Sequence, residues 1–196
     1  MPTIDRLAQS PPYTVRIGVT GHRFLSRVDE LIPRIDAVLD QIEAEWPGVA
    51  LTVISALAEG SDRLVVARLF YRYRARLVVP LPLPEAEYAQ DFLTPASRQE
   101  FLDLLAQADE IIRFPAVSTR PAGYAAAGHY MLDHCDLLIA LWDGQPAHGD
   151  GGTGTVVASA RQQRLPIAWI YTHNHKPGYE HPPMTTPQGA VIFENF

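Results

Sequence analysis

Short apolar runs alternate along the chain with segments whose apolar positions recur every three or four residues, the pattern of strands each followed by a helix. "TVRIGVT" (14–20) is rich in β-branched residues and stops at Gly21, and it predicts a buried first strand. From Val28 to Trp46, Val28, Leu31, Ile32, Ile35, Val38, Leu39 and Ile42 keep helical spacing until "PG" ends the run. "ALTVISAL", "ARLVVPLPLP", "EIIRF", "DLLIALW" and "PIAWIYT" predict five further strands. Between them "GSDRLVVARLFYRYR", "SRQEFLDLLAQA", "GYAAAGHYMLDHC" and "GTVVASARQQR" predict helices. In the second of these, Ser97 followed by Glu100 reads as a capping box. Alternating strands and helices predict an α/β sheet that is mainly parallel and covered on both faces. Residues 1–172 are expected to form one domain. Residues 173–196, rich in Pro and His and weakly periodic, are expected to be an extension packed on it or leaving it.

Composition narrows the function classes. At 196 residues the chain has room for a core of its own. A formal net charge of -6 argues against sequence-independent binding to phosphate backbones, so no nucleic-acid partner is expected. The first residues lack a basic segment followed by an apolar one, and no apolar run approaches the roughly 18 to 20 residues of a membrane span. A cytoplasmic protein with no membrane partner is the expectation. The single cysteine, Cys135, cannot form an internal disulfide and reads as a core thiol. His173, His175 and His181 have no ligand spacing and no cysteine beside them, so no metal site is expected.

Ligands of such sheets bind outside the carboxyl ends of the strands, where strand order reverses. Three strand-to-helix loops therefore carry the candidate chemistry. "GHRFLSR" offers Gly21 for a sharp turn, His22 as a titratable ring and Arg23 as a fixed cation that could also pair with Asp62. "ALAEGSD" offers Glu59, Gly60, Ser61 and Asp62 at a helix start, where carboxylates also complement the helix dipole. "DGQPAHGDGGTGT" begins at Asp143 and ends in Gly151, Gly152, Thr153, Gly154 and Thr155, a glycine-rich entry to a helix whose N–H groups suit an anion. It lacks the lysine of a P-loop. Arg120 and Tyr124, just ahead of the fifth strand, are candidates for a phosphate clamp and a stacking face.

Taken in order, "IGVTGHR", "SALAEGSDRLVVA", "AAAGHYMLDHCDLLIALWDG" and "GGTGT" resemble the SLOG superfamily, which includes the lonely-guy enzymes, DprA and sensor domains of channels and defence systems. The resemblance implies a single three-layer Rossmann-like domain of six or seven strands, and a nucleotide or ADP-ribose-like small molecule as the ligand of a sensor module. A homo-oligomer, a dimer, is also expected. No cofactor is then required, and Mg²⁺ enters only as the companion of a nucleotide. Some members cleave an N-glycosidic bond, using a glutamate three residues after the last threonine of the glycine motif. That position is Ala158 in this chain, so a hydrolase would have to draw on Glu59 or Asp62.

Overall fold

The computed structural model describes residues 14–115, 119–146, 152–178 and 186–196. In chain order they form β1 (Thr14–Gly21), α1 (Val28–Glu45), β2 (Ala50–Ile54), α2 (Ser61–Tyr73), β3 (Arg76–Leu81) and α3 (Glu85–Tyr88) with a 3-10 turn at Ala89–Asp91. Then follow α4 (Pro95–Leu105), β4 (Glu110–Arg113), α5 (Arg120–His134), β5 (Leu137–Trp142), α6 (Thr153–Gln162), β6 (Ile167–Tyr171) and β7 (Val191–Glu194). The seven strands make one sheet of order β4-β3-β2-β1-β5-β6-β7. All neighbours are parallel except β6 and β7.

Burial on both faces explains why these strands read as continuous apolar runs. Every residue of β5 is buried. Alternate side chains of β1 serve opposite faces: Ile17 and Val19 join Leu39, Val66 and Phe101 in a core under α1, α2 and α4. On the other face Leu138 and Ala140 pack with Met131 and Val157 of α5 and α6. Cys135 belongs to this second core, and burial pushes its thiol up to about 12, which leaves it an inert apolar group at neutral pH. The protein is thus a three-layer α/β fold with a Rossmann-like sheet.

The order of the strands positions the site. From β1 the chain steps outward through β2, β3 and β4, then returns to lay β5 on the other side of β1. The crossovers therefore diverge between β1 and β5, which opens a crevice at their carboxyl ends.

Three local features depart from the sequence pattern. Helix α4 starts before Ser97: Thr94 is its N-cap and accepts from Ser97 N–H at 3.0 Å, with Pro95 opening the helix. Proline lacks the N–H that a first turn leaves unpaired and fixes φ at a helical value, so "TP" outcompetes "SRQE" as the start. Helix α5 starts at Arg120, ahead of the expected Gly123, with Thr119 as N-cap and a proline again in the first turn. The extension from 173 onward contributes β7, whose register pairs Ile170 with Val191 and Ile167 with Glu194.

Candidate functional site

Two glycines let the loops after β1 and β2 meet. Gly60 has φ +78°, and a Cβ there would fall 2.6 Å from His22 O and closer still to Arg23 O. At Gly21 an added Cβ would fall 2.6 Å from Leu141 O and nearer to Ser61 Oγ. The space so freed is taken by Ser61, fully buried, which donates to His22 O through both its N–H (3.1 Å) and its hydroxyl (2.8 Å). Gly60 and Ser61 therefore lock one loop onto the other and do not line the crevice. This corrects their expected role as ligand contacts: a helix-start N–H can hold an anion or a neighbouring carbonyl, and here the carbonyl has it.

Glu59 is similarly engaged. It pairs with Arg23 at 2.9 Å, accepts from Leu93 N–H at 3.1 Å and accepts the Ser97 hydroxyl. Burial works to raise its carboxyl, but the hydrogen bonds from Ser97 and Arg23 prevail and hold it below the ordinary value. Arg23 thus pairs with Glu59 and not with Asp62, and its Nη2 also donates to Asp91 O at 2.7 Å. Arg120 lies away from the crevice, bound to Glu87 at 2.9 Å and to Asp91. Tyr124 does line the crevice, with its hydroxyl donating to Asp91; burial, then that bond, raise the phenol to about 12.

Between these loops lies a cavity of about 580 Å³ at the carboxyl ends of β1, β2, β3 and β5. Gly21, His22, Arg23, Asp62, Asp143, Gly152, Thr153 and Gly154 all reach it. Gly151 lies outside the described residues, and Thr155 is exposed on α6. Ala158 is likewise on the exposed side of that helix. Two rim residues, Asn174 and the exposed Lys176, come from the extension, which folds back through His175 N–H to Phe24 O at 2.9 Å. The side chain of Gln188 adds to this, donating to Ser26 O at 2.7 Å and accepting from His173 N–H at 3.2 Å, and nothing in the local sequence of Asn174 and Lys176 announces it.

The floor of the cavity is cross-linked at the β1/β5 junction. His22 Nε2 lies 3.0 Å from Asp143 Oδ1 and 3.1 Å from Asp143 N, while His22 N–H donates to Leu141 O at 3.0 Å. A neutral ring can accept from the Asp143 N–H, and a protonated ring can donate to the carboxylate. Burial acts to raise Asp143, but bonds from His22 and from Gln145 N–H hold it below its ordinary value.

At the far wall, α6 opens toward the cavity with Gly152 as its N-cap. Thr155 and Val156 N–H both return to Gly152 O, whereas the N–H groups of Thr153 and Gly154 find no acceptor among the described residues. Among the described residues, these two unpartnered N–H groups at the positive end of a helix suit an anion, and Lys176 lines the same cavity.

Asp62 behaves differently from the other carboxylates. It is buried, receives the Ser55 hydroxyl at 2.9 Å and Ala58 N–H at 3.3 Å, and burial nonetheless raises it to about 6. The backbone around it is set by Leu57, whose φ of +59° is unusual for a side chain that is fully buried. Arg63 holds that bend by donating to Leu57 O at 3.0 Å, while its Nη1 takes Ser97 O, Ser97 Oγ and Glu100. Sequence reading passed over Arg63, Leu57 and Ser55, since each looks like an ordinary strand-end or helix residue.

No protein-family model matches the chain, and no curated protein sequence does. A similar fold is found in DNA processing protein A from Helicobacter pylori. The two share 14% identity and a TM-score of 0.48, over 78% of this chain and 63% of that one. The chain thus spans less than two thirds of that protein's length, and the likeness is one of fold. That protein binds single-stranded DNA. The expectation of no nucleic-acid partner is corrected on this finding. Net charge is a sum over the whole surface and by itself does not exclude such a partner. Among the described residues no helix is long and apolar enough to cross a membrane.

Proposed function

We propose that the chain is a binding or sensing module for a nucleotide or nucleotide-derived ligand such as a nucleoside phosphate or ADP-ribose. The observation that carries this reading is the cavity at the strand-order reversal, with the bare N-terminal turn of α6 on one wall. In this reading a phosphate takes the Thr153 and Gly154 N–H groups, Lys176 adds charge, and the sugar and base extend past the His22–Asp143 pair toward β2 and β3. The same reading places the fold with SLOG-type nucleotide-binding domains.

Calorimetric titration with AMP, ADP-ribose, NAD and a short single-stranded oligonucleotide tests it, with Gly154→Val as the control. Gly154 is not among the positive-φ glycines, so valine is compatible with its backbone. Its isopropyl group would stand between the α6 N–H groups and a phosphate. Saturable binding by the parent and a loss of at least about thirtyfold in the variant are expected, the equivalent of losing roughly 2 kcal/mol of charged hydrogen bonds. Equal affinity of a folded Gly154→Val would contradict the phosphate position.

The raised carboxyl of Asp62 favours a second reading, hydrolysis of an N-glycosidic bond with Asp62 as acid or base. Release of free base by the parent would support it. Glu59, held ionised by three donors, is poorly suited to that role.

A further inference from the structure

The phosphate position leaves two buried polar groups of the cavity unused. Asp62 is 6% exposed and Tyr88 is 2% exposed, and both line it. Ser55 Oγ–H and Ala58 N–H both donate to Oδ2 of Asp62, so Oδ1 has no donor among the described residues. The Tyr88 hydroxyl likewise has no hydrogen-bond partner among them, and neither atom is sealed off from the cavity. Burial, then the charge of Asp62, hold the Tyr88 phenol well above its ordinary range, so the hydroxyl keeps its proton. Tyr124 stands beside it, ring centroids 6.2 Å apart.

Both atoms open to the cavity, where water meets them in the ligand-free protein, and both suit a ligand that supplies the complementary donor and acceptor in place of that water. Their place in the sheet says which part of the ligand that is. Asp62 follows β2 and the α6 N-terminus follows β5, so along the sheet they are offset by two strand spacings, about 10 Å. That is the reach of a nucleoside monophosphate from phosphate to base edge.

We propose that Asp62 and Tyr88 form the subsite that reads the base. Asp62 Oδ1 accepts an N–H from the ligand while the Tyr88 hydroxyl donates to the neighbouring ring nitrogen or carbonyl. The site therefore takes a nucleotide whose base carries a donor beside an acceptor, as the pairing edges of adenine and guanine do, and rejects one that lacks the donor. This inference rests on the phosphate reading above.

Asp62→Asn inverts the subsite without changing its shape. Ala58 N–H can only donate and Ser55 Oγ–H donates to the same atom, so the amide oxygen takes the Oδ2 position and the NH₂ faces the cavity. The probes are AMP, GMP, purine riboside 5′-monophosphate, which lacks the exocyclic donor, and ribose 5-phosphate, which lacks the base.

For the parent, AMP or GMP is expected to bind about ten- to a hundredfold more tightly than purine riboside 5′-monophosphate, the ratio one charged hydrogen bond gives. In Asp62→Asn that preference should vanish or reverse while ribose 5-phosphate binds as before. Should the variant not fold, Tyr88→Phe decides: the better of AMP and GMP should weaken about three- to tenfold, with ribose 5-phosphate unchanged. Parent and folded Asp62→Asn sharing one ranking of the four probes, or a Tyr88→Phe variant that binds AMP and GMP as tightly as the parent, would overturn the base-reading role and leave the phosphate position standing. No binding of any probe to the parent would overturn both.

Discussion

Gly60→Ala is expected to lower the stability of the protein by about 4 kcal/mol or more, and with it the melting temperature by roughly 8–16 °C for a chain of this size. The residue sits at φ +78°, and the new methyl would meet two carbonyl oxygens, those of His22 and Arg23. Neither can step aside cheaply, because His22 O is already held by Ser61 and the His22 ring by Asp143. Gly48→Ala is the matched control. Its φ is +70°, but nothing lies within 4 Å of the added atom, so only the backbone cost of about 1–2 kcal/mol should be felt. Thermal melts of the two variants check this. Similar losses at both positions would mean that the contact between the β1 and β2 loops is not what demands Gly60.

The second large effect concerns pH. In the folded protein Asp62 keeps its proton up to about pH 6, while in the unfolded chain it loses it near 3.8. Folding therefore takes up a proton between those values. The stability linked to this group is fully present below about pH 3.8 and is lost as the pH rises through about 6. At neutral pH the ionised, buried carboxylate costs the fold about 2–3 kcal/mol relative to a solvated one. Asp62→Asn keeps the shape without the charge. It should raise the melting temperature of the ligand-free protein by roughly 4–10 °C at pH 7.5 and much less at pH 4. A gain that is the same at both pH values, or a loss at pH 7.5, would show that Asp62 is not carried ionised against its surroundings. That cost, at a residue lining the cavity, is what the proposed ligand-binding role of Asp62 draws on.

Much of the fold was legible because its physics is repetitive. Strands buried on both faces leave apolar runs such as "DLLIALW", and helices packed by one face leave the spacing seen from Val28 to Ile42. Elements without such a face escaped. α3 is a single turn in a proline-bounded stretch, and β7 is a four-residue edge strand whose side chains are all at least partly exposed.

The candidate site was legible as three loops but not in its details. "AEGSD" supplies two residues to the cavity, Ala58 and the polar Asp62, because Gly60 and Ser61 face the β1 loop and Glu59 faces Arg23 and α4. Spacing cannot tell a carboxylate that faces a ligand from one that ties loops together; only the register of the turn decides it. Tyr88 was hidden because the element carrying it was not predicted. Lys176 was hidden because the extension returns to the site through bonds between groups distant in sequence, His175 N–H to Phe24 O and Gln188 to Ser26 O.

The most direct measurement is an amide chemical-shift map of the parent protein titrated with AMP and ADP-ribose. If the cavity at the β1/β5 junction is a nucleotide site, the largest perturbations should fall on Gly21, His22, Asp143 and the first turn of α6 at Thr153 and Gly154. The amides of the opposite sheet edge at β4 should stay still. Perturbations concentrated away from that junction, or none at millimolar nucleotide, would contradict the assignment.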